Sequence, residues 1–165
     1  MLDLGIISFL KTNPIGREAV DAIKKRTEVG LADPHDDPMV ERIVPIMKAT
    51  EFKGSILDVG CYGGWLYGYL GKPDNYTGID IWEEGIQAAK ELFPEGDFRV
   101  CDLFEFRERR DFVWCSQLSV LDKDVYRFHD KLLSLGDHGC IAYRRIDAEY
   151  IGENEVHGTL KVFRW

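Results

Sequence analysis

Ser55-Ile56-Leu57-Asp58-Val59-Gly60-Cys61-Tyr62-Gly63-Gly64 is the stretch on which the reading of this chain turns. Ile56, Leu57 and Val59 make a short apolar run of β-formers, the glycines break it, and the amphipathic segment Trp65 to Leu70 follows. The pattern predicts a strand, a tight turn and the start of a helix. Such a turn lets backbone N–H groups approach a ligand at the carboxyl edge of a parallel sheet, where nucleotide-type cofactors sit. A second apolar strand, Tyr76 to Ile79, ends in Asp80. An acidic residue about 20 positions beyond the glycines is placed to accept hydrogen bonds from ribose hydroxyls.

The nucleotide can be narrowed by exclusion. In the dinucleotide pattern G-x-G-x-x-G the second glycine would fall at Tyr62, whose side chain hinders close approach of a pyrophosphate. The phosphate loop G-x-x-x-x-G-K-[ST] is absent as well. Asp58, at the end of the first strand, would repel a diphosphate but suits a cofactor with an ammonium and a sulfonium. S-adenosylmethionine (SAM) has both groups.

The runs Ile56 to Gly64, Tyr76-Thr77-Gly78-Ile79-Asp80-Ile81 and Val100-Cys101-Asp102-Leu103 together resemble the class I SAM-dependent methyltransferases, in that family's order, over about residues 53 to 146. The resemblance implies a Rossmann-like, doubly wound α/β sheet of strand order 3-2-1-4-5 with a terminal antiparallel strand. It implies SAM as cofactor and S-adenosylhomocysteine (SAH) as product. The turn Gly60, Cys61, Tyr62, Gly63 and Gly64 would contact the methionine end, beside Asp58. Asp80 would hold the ribose, Ile81 and Trp82 would flank the adenine, and Asp102 with Leu103 would face its amino group. Cys115, at the end of strand four, completes the set. The family's middle glycine is Tyr62 here, which implies a displaced turn or narrowed access. Trp82 reads equally as a packing aromatic, and Asp102 also as an N-cap before Leu103 to Glu108.

At 165 residues with a formal charge of −8, the chain is long enough for a single domain, with N-terminal helices over residues 1–52 and a cofactor-binding core over 53–165. That charge argues against a general polyanion binder and leaves a small molecule as the expected substrate, with nucleic acid disfavoured. Cys61, Cys101, Cys115 and Cys140 lie in or beside expected strands and lack the paired spacing of a zinc site, so no metal is expected. They read as buried reduced thiols of a cytoplasmic protein. No apolar run approaches a membrane span, and Met1 to Leu10 makes a poor signal peptide.

Along the chain, Asn13-Pro14 opens a helix to about Glu28, and Ala32 to Pro38 is a linker in which His35 reads as an exposed loop residue. A second helix runs from Asp37-Pro38 through Lys48, with a kink or early end at Pro45. Glu83 to Phe93 is amphipathic, strand three is Phe98 to Cys101, and strand four is Phe112 to Cys115. Arg107, Arg109 and Arg110 alternate with Glu105, Glu108 and Asp111, the mark of a solvated face. Asp122 caps a helix through about Leu135 that contains His129, and strand five is Cys140 to Ile146. Tyr143, Arg144 and Arg145 lie either at a substrate mouth or at an exposed sheet end.

Nine residues, Asp147 to Glu155, separate strand five from the last β-rich run, Val156 to Trp165. A parallel crossover takes about a dozen or more, so the last strand should run antiparallel beside strand five. The chain thus resembles a shortened version of the family fold. An exposed final strand would either pair across a homodimer or be guarded by Lys161 and Arg164.

Methyl transfer from a sulfonium is an in-line displacement in which the protein supplies alignment and desolvation, and a base only when the acceptor must lose a proton. The turn after strand four reads Cys115-Ser116-Gln117, without an Asn-Pro-Pro-Tyr type sequence, and no Pro-Cys pair exists to supply a cytosine-C5 nucleophile. Gly63-Gly64-Trp65 resembles the RNA ribose methyltransferases, but their lysine and acidic tetrad have no counterpart that can be placed here. Gln117, Tyr143 and His129 are the substrate-side candidates. The expected function is methyl transfer to a small molecule. The competing readings are a SAM- or SAH-binding regulatory domain without turnover, a NAD-type oxidoreductase and an RNA methyltransferase.

Overall fold

The computed structural model describes residues 43, 45–116, 125–143, 155–157 and 160–165. At its centre lies β1 (Ile56–Val59), all four residues buried, as befits a parallel strand covered on both faces. It is hydrogen-bonded to β2 (Tyr76–Asp80) on one side and β4 (Arg110–Ser116) on the other, both parallel. β3 (Asp97–Val100) extends the sheet beyond β2, and β5 (Gly136–Tyr143) extends it beyond β4. The tail adds β6 (Glu155–His157) and β7 (Leu160–Arg164), giving the order β3-β2-β1-β4-β5-β7-β6. β7 pairs antiparallel with β5, so the Rossmann-like order and the direction of the terminal strand agree with the sequence reading.

Helices cover both faces. On one, α1 (Trp65–Tyr69) and α2 (Glu83–Leu92) pack over Ile56, Tyr76, Phe98 and Trp114, joined by Ile46 and Met47 of the helical residues 45–48. On the other, α3 (Val125–Leu135) sets Phe128, Leu132 and Leu135 over Leu57, Val59, Ile79, Val113 and Ile141. The period of two along β1 thus feeds two separate cores, with Ile56 and Leu57 on opposite sides.

Several boundaries differ from expectation. The helical run does not end at Pro45, since Ala49 N–H donates to its carbonyl at 3.0 Å and Thr50 Oγ donates to the Ile46 carbonyl at 2.7 Å, whereas the residues before it, where a kink would fall, lie almost wholly outside the described residues. Leu103–Glu105 forms a turn and not the start of a helix. β5 begins at Gly136, four residues before Cys140. Gly139 is needed in the strand because a Cβ there would lie 2.1 Å from the Trp165 ring. The single last strand is a hairpin, β6 with β7, whose paired ends His157 and Leu160 are separated by Gly158 and Thr159. Lys161 therefore does not guard an open edge, since it pairs with Tyr143 of β5 and with Val156 of β6, and the Arg164 side chain is turned to Thr50, Nη1 donating to its Oγ at 2.6 Å. The helix expected over Asn13 to Glu28, the linker Ala32 to Pro38 with His35, and nearly all of residues 1–52 lie outside the described residues.

Candidate functional site

Three turns meet at the carboxyl edge of β1, β2 and β3. After β1, the chain takes positive φ at Gly60 (74°), Tyr62 (53°) and Gly64 (82°). Gly60 and Cys61 donate to the Ile79 carbonyl at 2.8 and 3.1 Å, and Gly64 donates to Cys61 at 2.9 Å, which folds the turn down onto the end of β2. Gly78 makes room for this: a Cβ there would stand 2.9 Å from Cys61 Sγ. Tyr62 takes the left-handed conformation that its glycine-replacing position demands, at a cost of about 1–2 kcal/mol for a residue with a Cβ. Two contacts offset that strain. Its N–H donates to Asp80 Oδ2 at 3.0 Å, and its ring lies on Trp82 with centroids 4.6 Å apart. The turn is kept in place with its tyrosine turned aside toward β2.

Asp80 closes β2 and ties two loops together, Oδ2 receiving the Tyr62 N–H and Oδ1 the Trp82 N–H at 2.9 Å. Burial raises its pKa, while hydrogen bonds from Trp82, Tyr62 and Ile81 act in the opposite sense. A carboxylate offers about four lone-pair sites, so two N–H donors leave acceptor capacity for a ligand. Trp82 packs over the first turn of α2, where a Cβ on Gly85 would come within 2.2 Å of its ring, so its packing role is real. Ile81 is 43% exposed and Val100 51%, an apolar pair at adjacent strand ends, open to a ring placed between or beside them. Asp102 is half-buried and caps the next turn through Oδ1 to Phe104 N–H at 2.8 Å. Leu103 and Cys115 are buried in the core under α3.

Asp58 points into the other core, under α1 and α2, 3% exposed. Its Oδ2 accepts from Tyr76 Oη at 2.5 Å, a partner that sequence reasoning missed. The signal lay in the register: β1 and β2 run parallel with Ile56 opposite Tyr76 and Asp58 opposite Gly78, which puts the tyrosine and the carboxylate on neighbouring strands two positions apart. Desolvation is the main reason that the Asp58 carboxyl titrates at about 7; the Tyr76 bond lowers it and nearby Asp80 raises it. Cys61, Cys115 and Tyr76 are pushed up well above their ordinary values, chiefly by burial, so they remain protonated around neutrality.

The structure thus brings Asp58, the Gly60–Gly64 turn, Asp80, Ile81 and Trp82 together, with Asp102 at the neighbouring strand end. It does not add His129 to them. That ring packs on Phe163 of β7 at 4.8 Å, its Nε2 is buried without a hydrogen-bond partner, and burial lowers its pKa. Tyr143 ends β5 opposite Lys161. Gln117, Arg144 and Arg145 lie outside the described residues. Among the described residues no cluster of His, Cys, Asp and Glu could hold a metal ion, and no helix is long and apolar enough to cross a membrane.

A family model described as a methyltransferase domain matches residues 57–133. Among solved structures, the chain is similar to magnesium protoporphyrin IX methyltransferase (ChlM) from Synechocystis PCC 6803 with bound SAM, at 16% identity and a TM-score of 0.67, covering 99% of this chain and 97% of that one. It is similar to a Thermoplasma acidophilum protein at 16% identity and a TM-score of 0.62, covering 88% and 95% of the two chains. A ribosomal protein L11 methylase from Lactobacillus delbrueckii subsp. bulgaricus matches at 14% identity and a TM-score of 0.58, covering 76% of each. At these identities the likeness is one of fold. A comparison with curated protein sequences finds no match.

Proposed function

We propose that the chain is a class I SAM-dependent methyltransferase that moves the methyl group of SAM to a small-molecule acceptor, with SAH as product, a reading supported by the methyltransferase-domain match and the shared fold. The observation that carries the assignment of the site is the Asp80 carboxylate, which draws the N–H groups of Tyr62 and Trp82 to one point at the strand ends. The residues fit the cofactor. Asp58, a buried carboxylate, has no cation partner among the described residues, Asp80 has lone pairs to spare, and Ile81 with Val100 offers an apolar surface to a flat ring.

SAM supplies the electrophilic methyl carbon on a sulfonium. The chain's own share is placement: the turn over Gly60 to Gly64 receives the methionine end, Asp80 accepts from ribose hydroxyls, and Ile81 with Asp102 brackets the adenine. Burial of Asp58 beneath the turn supplies negative charge in a medium that screens it weakly. ChlM acts on a small molecule by its printed name and aligns with almost the whole of this chain, which favours a small acceptor. The net charge of −8 speaks against a polyanion, and four free cysteines suit a reducing, cytoplasmic setting.

Calorimetric titration with SAM, SAH and NADH tests the reading. Saturable binding of SAM and SAH with no heat from NADH supports it. Binding of NADH alone would replace it with the oxidoreductase reading.

A further inference from the structure

Three cations meet over one short stretch of backbone between β3 and β4. Lys131 Nζ of α3 donates to the Phe106 carbonyl at 2.6 Å, and Arg107 Nη1 donates to the same oxygen at 3.0 Å and to the Phe104 carbonyl as well. Arg127, one turn before Lys131 on α3, lies over the Phe104 ring, 4.2 Å from its centroid. None of the three takes part in the ion pairs of the described residues. The other arginines of the region do: Arg99 is held by Asp97 and Glu108, Arg110 by Glu108, and Arg109 by Asp137. The alternation of charges along residues 105–111 therefore neutralises Arg109 and Arg110 but leaves Arg107 among like charges. Arg127 and Lys131 stand four residues apart on one helix, a spacing at which like charges oppose each other. The Lys131 pKa is lowered, first by burial and then by the Arg107 guanidinium, while Cys101 acts in the opposite sense. A carbonyl oxygen carries only a partial charge and cannot neutralise two full ones.

We propose that Arg107 and Lys131, flanked by Arg127, form a binding site for one phosphate dianion, either the free ion or the phosphate of a small phosphorylated molecule. Because both side chains reach one oxygen, their nitrogens lie within roughly 6 Å of each other, a gap that a phosphate spans with two charge-assisted bonds of about 2.8 Å. Donors remain for it. Arg107 is exposed and bonds the backbone through Nη1, which leaves Nη2 and Nε as a fork, and Lys131 has used one of its three N–H groups. Arg127, stacked by its face on Phe104, keeps its N–H edge for an anion in the guanidinium plane. The net charge of −8 acts against a long polyanion, whereas a single dianion is decided by charges within a screening length of about 8–10 Å. None of these three cations belongs to the cofactor site, so the inference goes beyond that reading and does not depend on it.

Calorimetry with inorganic phosphate and with glycerol 3-phosphate, at fixed ionic strength and a pH where both are dianions, tests this in the wild type, Arg107→Ala, Lys131→Met and Arg109→Ala. Binding should saturate in the wild type and in Arg109→Ala, whose arginine is already paired with Asp137. Kd should rise about tenfold or more in Arg107→Ala and in Lys131→Met, the order of one lost charge-assisted bond. Phosphate should also raise the urea midpoint of the wild type, relative to chloride at equal ionic strength, and leave that of Lys131→Met in place. Equal Kd for the two probes supports a site for the free ion, and a lower Kd for the ester supports a phosphorylated small molecule. Binding that persists unchanged in Arg107→Ala and Lys131→Met overturns the inference, as does saturation by a short RNA oligonucleotide but by neither probe, or no saturation at all. Should Arg107→Ala fail to fold, because it frees two carbonyls, Lys131→Met decides alone. A failure of SAM to bind would overturn the cofactor reading and leave this result standing.

Discussion

Asp80→Asn separates a structural tie from a ligand contact at the same atoms. In the wild type each carboxylate oxygen accepts one backbone N–H, from Tyr62 at 3.0 Å and from Trp82 at 2.9 Å. An asparagine has one oxygen and one NH2 group, so one of the two N–H donors must face another donor. The loss of a hydrogen bond to a charged acceptor is worth about 1.5–3 kcal/mol. Part of this is returned, because burial disfavours the charged form of Asp80 and the neutral amide does not suffer that penalty. A net destabilisation of about 1 kcal/mol follows, visible as a lower urea midpoint at unchanged slope. Binding should suffer more. If the remaining lone pairs hold ribose hydroxyls, losing a charged acceptor weakens SAM by about 1.5–3 kcal/mol, roughly 10- to 100-fold in Kd. Urea unfolding and calorimetric titration on the same preparation read the two effects apart. A lowered urea midpoint with SAM affinity unchanged within about twofold would refute the ribose assignment and leave Asp80 as a tie between loops.

Other consequences can be checked singly. Gly64→Ala forces a side chain into a φ of 82° and brings Cβ within 2.9 Å of the Phe98 ring, so it should destabilise by about 2–4 kcal/mol in urea unfolding. Asp58 has a folded-state pKa of about 7, above its ordinary 3.8, so the fold prefers its protonated form: its contribution to stability is full below about pH 4 and is lost as pH rises towards 7. The loss is on the order of 4 kcal/mol for the unliganded protein, and the difference in unfolding free energy between wild type and Asp58→Asn should follow that slope. Of the four cysteines only Cys101 is half-buried, the others being buried. A thiol reagent should therefore label one cysteine rapidly in the native protein and all four in denaturant, and rapid labelling of Cys61 would contradict the packing of the turn.

The centre of the fold was legible because β1, its glycines and the ends of β2 and β3 each carry a local signal that agrees with the others. An apolar run too short for a helix, a break, and an acidic strand end need no tertiary knowledge. The rest depended on neighbours. Gly139 looks like punctuation until Trp165 is seen to lie where its Cβ would be. The tail read as one strand, although Gly158-Thr159 carries a two-residue hairpin signal. At the site, the residue types suggested by Asp58 and Asp80 could be named, but not where their carboxylates turn. Asp58 faces inward to Tyr76, a contact that exists only through the parallel register of β1 with β2. Nor does a sequence say that a tyrosine will adopt the left-handed backbone of Tyr62, because the donor–acceptor pair and the ring stack that hold it there come from Asp80 and Trp82, about twenty residues on.

The account stands on the adenosyl cofactor lying across the ends of β1, β2 and β3. Amide chemical shifts of uniformly 15N-labelled protein, followed during a SAM titration, test this most directly. The amides of Gly60, Tyr62, Gly63, Gly64, Ile81, Trp82 and Leu103 should shift together along one saturation curve. Saturable binding that leaves those amides in place, with shifts gathered instead around α3 and the β6–β7 hairpin, would contradict it.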